Sequence, residues 1–142
     1  MKEQNRTRVL IADDSALIRE RLVEMLAEIP GIKIVGKVEN GLEAIEITQR
    51  LSPNLVVLDI RMPKCNGIEV LKSINKNGHH PMVIVLTNYP TYRQKCVDIG
   101  ADFFLDKSTE FDKVPKLLNW LINGPCVSKD ATLFEHVAVA RV

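Results

Sequence analysis

Short apolar runs alternate along this chain with longer stretches in which apolar residues return every three or four positions. The first run, Arg8–Ala12 (RVLIA), stops at Asp13. Ala16–Ile29 then brings Leu17, Ile18, Leu22, Met25, Leu26 and Ile29 onto one helical stripe, which Pro30-Gly31 ends. Ile32–Val38 (IKIVGKV) alternates loosely, as a half-exposed strand at a sheet edge does. Beyond Asn40-Gly41, the recurrence of Leu42, Ile45 and Leu51 predicts a helix over Leu42–Leu51. Leu55–Leu58 (LVVL) and Met82–Leu86 (MVIVL) are apolar throughout, which predicts strands covered on both faces. Between them, Gly67–Lys76 sets Ile68, Leu71 and Ile74 on one helical face before Asn77-Gly78. Pro90 opens a short helix through Ile99 that Gly100 stops. Asp102–Leu105 is the fifth strand, and a last helix ends near Asn123, before Gly124-Pro125. With Asp112 as its N-cap, Pro115 falls in the first turn, where a missing donor costs little.

Five strands, each followed by a helix with short connections, predict an α/β fold. Right-handed crossovers make it a flavodoxin-like, doubly wound (βα)5 domain, with a parallel five-stranded sheet in the order 2-1-3-4-5 and helices on both faces. One domain over residues 8–123 accounts for the pattern. Residues 124–142 form a tail without an output domain, although Leu133, Phe134, Val137, Val139 and Val142 give it material for docking.

Composition changes this picture little. Of 142 residues, 46% are hydrophobic and 26% charged, as in an ordinary globular protein. No stretch approaches the ~18–20 consecutive apolar residues of a membrane span, and the polar N-terminus has no signal-like apolar region. Cys65, Cys96 and Cys126 are too scattered for a disulfide framework or a zinc site, so a cytoplasmic protein is expected. A net charge of +1 supplies no field for nucleic acid or a membrane surface, and neither is expected as a partner.

Open sheets of this kind bind ligands outside the carboxyl ends of their strands. The polar residues there are Asp13 and Asp14 after the first strand, Asp59 after the third, Thr87 after the fourth and Lys107 after the fifth. The expected order sets the first and third strands side by side, so the three carboxylates share a pocket. They repel by roughly 1 kcal/mol per pair in water, and more when desolvated. A hard divalent cation is the usual remedy, and Mg²⁺ needs only one or two carboxylates. Carboxylates, Mg²⁺, an ammonium and a hydroxyl are together what phosphoryl transfer to an aspartate requires.

VLIADDS (9–15), VVLDIRMPKCNGIEVL (56–71), IVLTN (84–88) and GADFFLDK (100–107) resemble the receiver domain of two-component response regulators, in order and at fitting intervals from Arg8 to Asn123. The resemblance implies a stand-alone, single-domain signalling protein rather than an enzyme. Asp59 is then the phosphoacceptor, served by a histidine kinase or a histidine phosphotransfer protein. Asp14 would bind Mg²⁺ directly and Asp13 largely through water, with Asp59 and the backbone carbonyl of Arg61 completing the protein ligands. Thr87 and Lys107 would contact the phosphoryl oxygens, and Phe104 holds the aromatic switch position. Thr87 moving toward the new charge would vacate space for the Phe104 ring, altering the surface of the fourth helix, fifth strand and fifth helix read by a downstream protein. Such coupling is typically about 1–3 kcal/mol. Two residues depart from the family pattern: Ser108 follows the lysine in place of proline, and Asn88 follows Thr87 in place of a small residue. Asn88, Arg61 and Tyr89 are expected at the pocket entrance.

Other readings of the chain are weaker. An aspartyl-phosphate phosphohydrolase would want a second Asp two positions after Asp59, where Arg61 stands. A phosphorylation-independent interaction module leaves the polar residues at four of the five strand ends without a purpose. No segment after Asn123 offers a helix-turn-helix, and no glycine-rich phosphate loop follows the first strand. His79-His80 read as solvated loop residues, Cys65 as a loop cysteine near the pocket, and Trp120 with Leu117, Leu118 and Leu121 as core.

Overall fold

The five apolar runs become the five strands of one parallel sheet in the computed structural model, which describes residues 6–76 and 80–124. In chain order the elements are β1 (Thr7–Ala12), α1 (Ala16–Ala27), β2 (Ile32–Val38), α2 (Gly41–Leu51), β3 (Leu55–Leu58), α3 (Gly67–Lys76), β4 (Met82–Thr87), α4 (Arg93–Ile99), β5 (Phe103–Asp106), α5 (Lys107–Glu110) and α6 (Lys113–Asn123). A 3-10 turn over Pro90–Tyr92 leads into α4. The strand order is β2-β1-β3-β4-β5, as the alternation predicts. The tail beyond residue 124, with Cys126, and residues 77–79, with His79, lie outside the described residues; His80 is exposed.

Side-chain alternation along each strand builds two apolar layers. Val9, Ile11, Val57 and Phe103 pack with Leu22 and Leu26 of α1 and Leu117 and Leu118 of α6. Leu10, Val56, Leu58 and Phe104 pack with Ile68, Val70 and Leu71 of α3 and Cys96 of α4. β3 is buried at all four positions, whereas β2 is half-exposed along most of its length, as suits the sheet edge. Trp120 and Leu121 are half-buried against the first layer.

Several expectations need correction. Leu17 is 64% exposed, because the stripe that α1 turns to the core runs through Ile18, Leu22 and Leu26. Leu42 is 56% exposed at the start of α2, where Ala44 and Thr48 are buried instead. α1 ends at Ala27 rather than Ile29. The fifth strand runs one residue later than the pattern suggests, because the Asp102 carboxylate turns back to accept from the Val83 amide at 2.9 Å. The single last helix is two, the one-turn α5 and then α6, whose N-cap is Asp112; its side chain makes no capping bond, and Pro115 sits in the first turn.

Candidate functional site

The register of the central strands sets the site. Ala12 of β1 pairs with Leu58 of β3, so the next residues, Asp13 and Asp59, leave the sheet side by side. The Asp59 amide donates to the Ala12 carbonyl at 2.9 Å and the Asp13 amide to Val38 at 3.1 Å, which holds both backbones to the sheet. Thr87 pairs with Asp106 across β4 and β5, which brings Lys107 in from the far side.

Local hydrogen bonds then aim the side chains. Asp13 accepts from the Ser15 amide through Oδ1 at 2.9 Å, and its carbonyl accepts from Arg19 Nη1 at 2.7 Å. Ser15 caps α1 by accepting from the Ile18 amide at 3.3 Å, so the cap does not need Asp14. Asp59 Oδ1 accepts from the Ile60 amide at 2.8 Å, leaving Oδ2 toward the cleft. Lys107 Nζ donates to Asp13 Oδ2 at 2.8 Å and lies 3.4 Å from Asp59 Oδ2. Asp13 and Asp59 are 2% and 5% exposed, whereas Asp14 stands out into solvent.

Each of the three aspartates offers an oxygen within 4.8 Å of the others. Three hard oxygen donors around a cleft open to water fit a divalent cation of the Mg²⁺ class, which keeps water in its shell. The electrostatics point the same way. Burial, and then the Asp13 charge, push the Asp59 carboxyl up to about 6, against the opposing pull of Lys107. Burial alone would push the Lys107 ammonium down, but the hydrogen bond to Asp13 and the charges of Asp59 and Asp13 outweigh it and hold it above the usual lysine value. One cation thus serves two buried carboxylates, and the site retains an excess of negative charge.

The cleft above them, about 270 Å³, is lined by Asp14, Asp59, Lys107, Arg61, Asn88 and Tyr89, with Ser15 and Ile18 forming the α1 wall. Arg61 and Tyr89 meet at the entrance, the guanidinium carbon 4.7 Å from the ring centroid. Thr87 is fully buried behind this lining, and its hydroxyl oxygen accepts from the Tyr89 amide at 3.3 Å. Phe104 is also inside, 2% exposed, with the Arg93 guanidinium carbon 5.7 Å above its ring. Cys65 does not reach the cleft: it lies in a separate groove with Leu42 and Ile45, between α2 and α3.

Two participants escape a reading of the sequence alone. Arg19 fixes the Asp13 backbone from one turn into α1, although nothing marks it there as more than a solvated arginine. Gly67 lets α3 start directly under the site: a Cβ on it would lie 2.2 Å from the Asp59 carbonyl oxygen and 2.8 Å from Ile60 Cα. Its only mark in the sequence is a glycine at the start of the helix expected over Gly67–Lys76.

The family model of the response regulator receiver domain matches residues 9–119. An uncharacterized response regulatory protein of Yersinia pestis is 39% identical over 114 residues, 80% of this chain and 48% of that protein. A protein-glutamate methylesterase/protein-glutamine glutaminase of Treponema denticola is 38% identical over 104 residues, 70% of this chain and 28% of that protein. The chain therefore spans between about a quarter and a half of these relatives. Among solved structures, the response regulator domain of Thermotoga maritima CheB superposes with a TM-score of 0.74 at 34% identity, covering 83% of this chain and 94% of that one.

Proposed function

This chain belongs to the response regulator receiver domain family, and we propose that it works as a phosphorylation switch with Asp59 as its acceptor. The observation that carries the proposal is the meeting of three carboxylates within 4.8 Å, two of them also gripped by Lys107, at the floor of an open cleft. Such crowding gives a purely structural protein no advantage, because burial and the Asp13 charge both oppose the ionised Asp59 carboxylate despite Lys107.

In the proposed reaction an oxygen of Asp59 attacks the phosphorus of a phosphohistidine on a histidine kinase or histidine phosphotransfer protein. A P–O bond forms as the P–N bond breaks, and the electron pair leaves with the imidazole nitrogen, which takes a proton. Lys107 is placed to follow the incoming phosphoryl oxygens, since its ammonium already spans Asp13 and Asp59. Asp13, Asp14, Asp59 and the carbonyl of Arg61 are the groups proposed to hold Mg²⁺. When bound, that ion would supply charge neutralisation for the phosphoryl oxygens. Thr87, fully buried and accepting from the Tyr89 amide, is proposed to move toward a phosphoryl oxygen and to donate its hydroxyl proton to it.

The output is a change of affinity for a downstream protein, read on the face of α4, β5 and α6. The methylesterase named for the Treponema relative stays with that protein, of which this chain spans 28%. Incubation with Mg²⁺ and acetyl phosphate, followed by intact mass, tests the proposal. One alkali-labile phosphoryl group, abolished by EDTA or by Asp59→Asn, is the expected result. An unmodified protein, or sustained turnover of unrelated phosphate esters, would overturn it in favour of an interaction module or a hydrolase.

A further inference from the structure

Lys107 reaches two carboxylates at once, yet its backbone occupies the first position of a helix only four residues long. A single turn has too few internal hydrogen bonds to fix itself. What surrounds residue 107 is a frame of side chains. Asp106 Oδ1 accepts from the Ser108 amide at 2.9 Å and from the Ser108 hydroxyl at 2.7 Å. In return, Glu110 Oε1 accepts from the Asp106 amide at 2.9 Å. The amides on either side of Lys107 are therefore both held by carboxylates, a reciprocal arrangement of the capping-box type.

The frame is anchored at both ends. Asp106 is the last residue of β5 and pairs with Thr87 in the sheet. The other Glu110 oxygen lies 3.3 Å from Lys113 Nζ at the start of α6. The Lys107–Ser108 peptide is trans, like every other among the described residues. Ser108 gives the frame what a proline would not, a backbone N–H and a hydroxyl. The Lys107 side chain, 10% exposed, is closely packed and has little slack with which to absorb a displaced backbone.

We propose that Asp106, Ser108 and Glu110 are positioning residues that fix the Lys107 backbone, so that its ammonium stands between Asp13 and Asp59, and that they thereby set the rate at which Asp59 is phosphorylated. This rests on the reading of Asp59 as the acceptor. The bonds of the three flank Lys107 on both sides, at the Asp106 amide and at the Ser108 amide and hydroxyl, so the effect is expected to run through Lys107.

The test uses the full chain with Mg²⁺ and acetyl phosphate, following the rate by intact mass. Glu110→Ala is expected to slow phosphorylation about tenfold or more, as misplacing a reacting partner does. Glu110→Gln, which retains an oxygen acceptor for the Asp106 amide, is expected to run near the wild-type rate. Ser108→Ala, which loses only the hydroxyl bond, is expected to fall between them. In a Lys107→Ala background, Glu110→Ala should change nothing further, since the group it acts through is gone. A readout without metal or phosphate accompanies these: amide hydrogen exchange at Asp106 and Ser108 should accelerate in Glu110→Ala and stay unchanged in Lys107→Ala. A wild-type rate for both Glu110→Ala and Ser108→Ala, or an equal loss with and without Lys107, overturns the inference while leaving Asp59 as acceptor. Failure of the wild-type protein itself to take up a phosphoryl group would remove both.

Discussion

At the scale of single residues, Asp59 makes the folded protein sensitive to pH. Its carboxyl lies at about 6 in the folded chain against an ordinary 3.8, chiefly because it is buried beside Asp13. The folded state thus holds this proton more tightly than the unfolded state. Its stabilising contribution is complete below the unfolded value and is lost as pH rises through the folded one. At roughly 1.4 kcal/mol per pH unit, the loss amounts to about 3 kcal/mol. Asp59→Asn carries no such charge and can still accept from the Ile60 amide. In urea unfolding with EDTA present, it is expected to exceed the wild type by up to about 3 kcal/mol near pH 7.5 and to match it near pH 4. A difference that does not vary with pH would refute this origin. Gly67→Ala should act oppositely. Its Cβ would press on the Asp59 carbonyl oxygen and Ile60 Cα, both backbone atoms of the site, so a loss of about 3 kcal/mol is expected in the same assay, with weakened Mg²⁺ binding.

At the scale of elements, α2 carries a polar atom where an apolar one would serve better. The Thr48 hydroxyl is buried on its inner face with no partner among the described residues. Thr48→Val keeps the shape and removes the desolvated group, so the urea midpoint should rise by about 1 kcal/mol equivalent, with an unchanged denaturant slope. An unchanged or lower midpoint would mean that the hydroxyl has a compensating role. The same helix shows why part of the fold is legible in sequence and part is not. β3 and β4 are unmistakable because strands covered on both faces need unbroken apolar runs, and LVVL and MVIVL are such runs. Leu17 and Leu42 mislead because periodicity groups residues into a stripe and does not say which of them the core covers. Each sits in the first turn of its helix and is exposed. α5 escapes for a different reason: its single turn depends on the carboxylates of Asp106 and Glu110 rather than on any apolar repeat.

At the scale of the whole molecule, the site and the proposed output face are joined by β4 and β5. Asp13, Asp59, Thr87 and Lys107 were legible because a parallel sheet delivers its strand ends to one place, whatever the loops do. Arg19 and Gly67 were not, because their roles depend on distances that only the packed chain defines. Depth is the other thing sequence could not supply. Thr87 and Phe104 are both buried already, Phe104 within the layer that also contains Cys96 of α4 and under the Arg93 guanidinium. Under the proposed switch, a change at Thr87 would act on a ring already seated in the core and would be transmitted by repacking around that ring. Close-packed interiors respond to such a shift by moving between discrete arrangements. Adding acetyl phosphate and Mg²⁺ is expected to change amide exchange in Arg93–Ile99 and Phe103–Asp106 by roughly five- to a hundredfold, the range of ordinary coupling energies, while Gly41–Leu51 in α2 stays as it was. Thr87→Val preserves the volume but removes the hydroxyl, and with it the hydrogen bond to the Tyr89 amide. That variant should still gain one phosphoryl group by mass, more slowly, and should lose the exchange response in α4 and β5. Should it retain the full response, the linkage would have to bypass Thr87, and the Arg61–Tyr89 stack at the cleft entrance would be the next connection to cut.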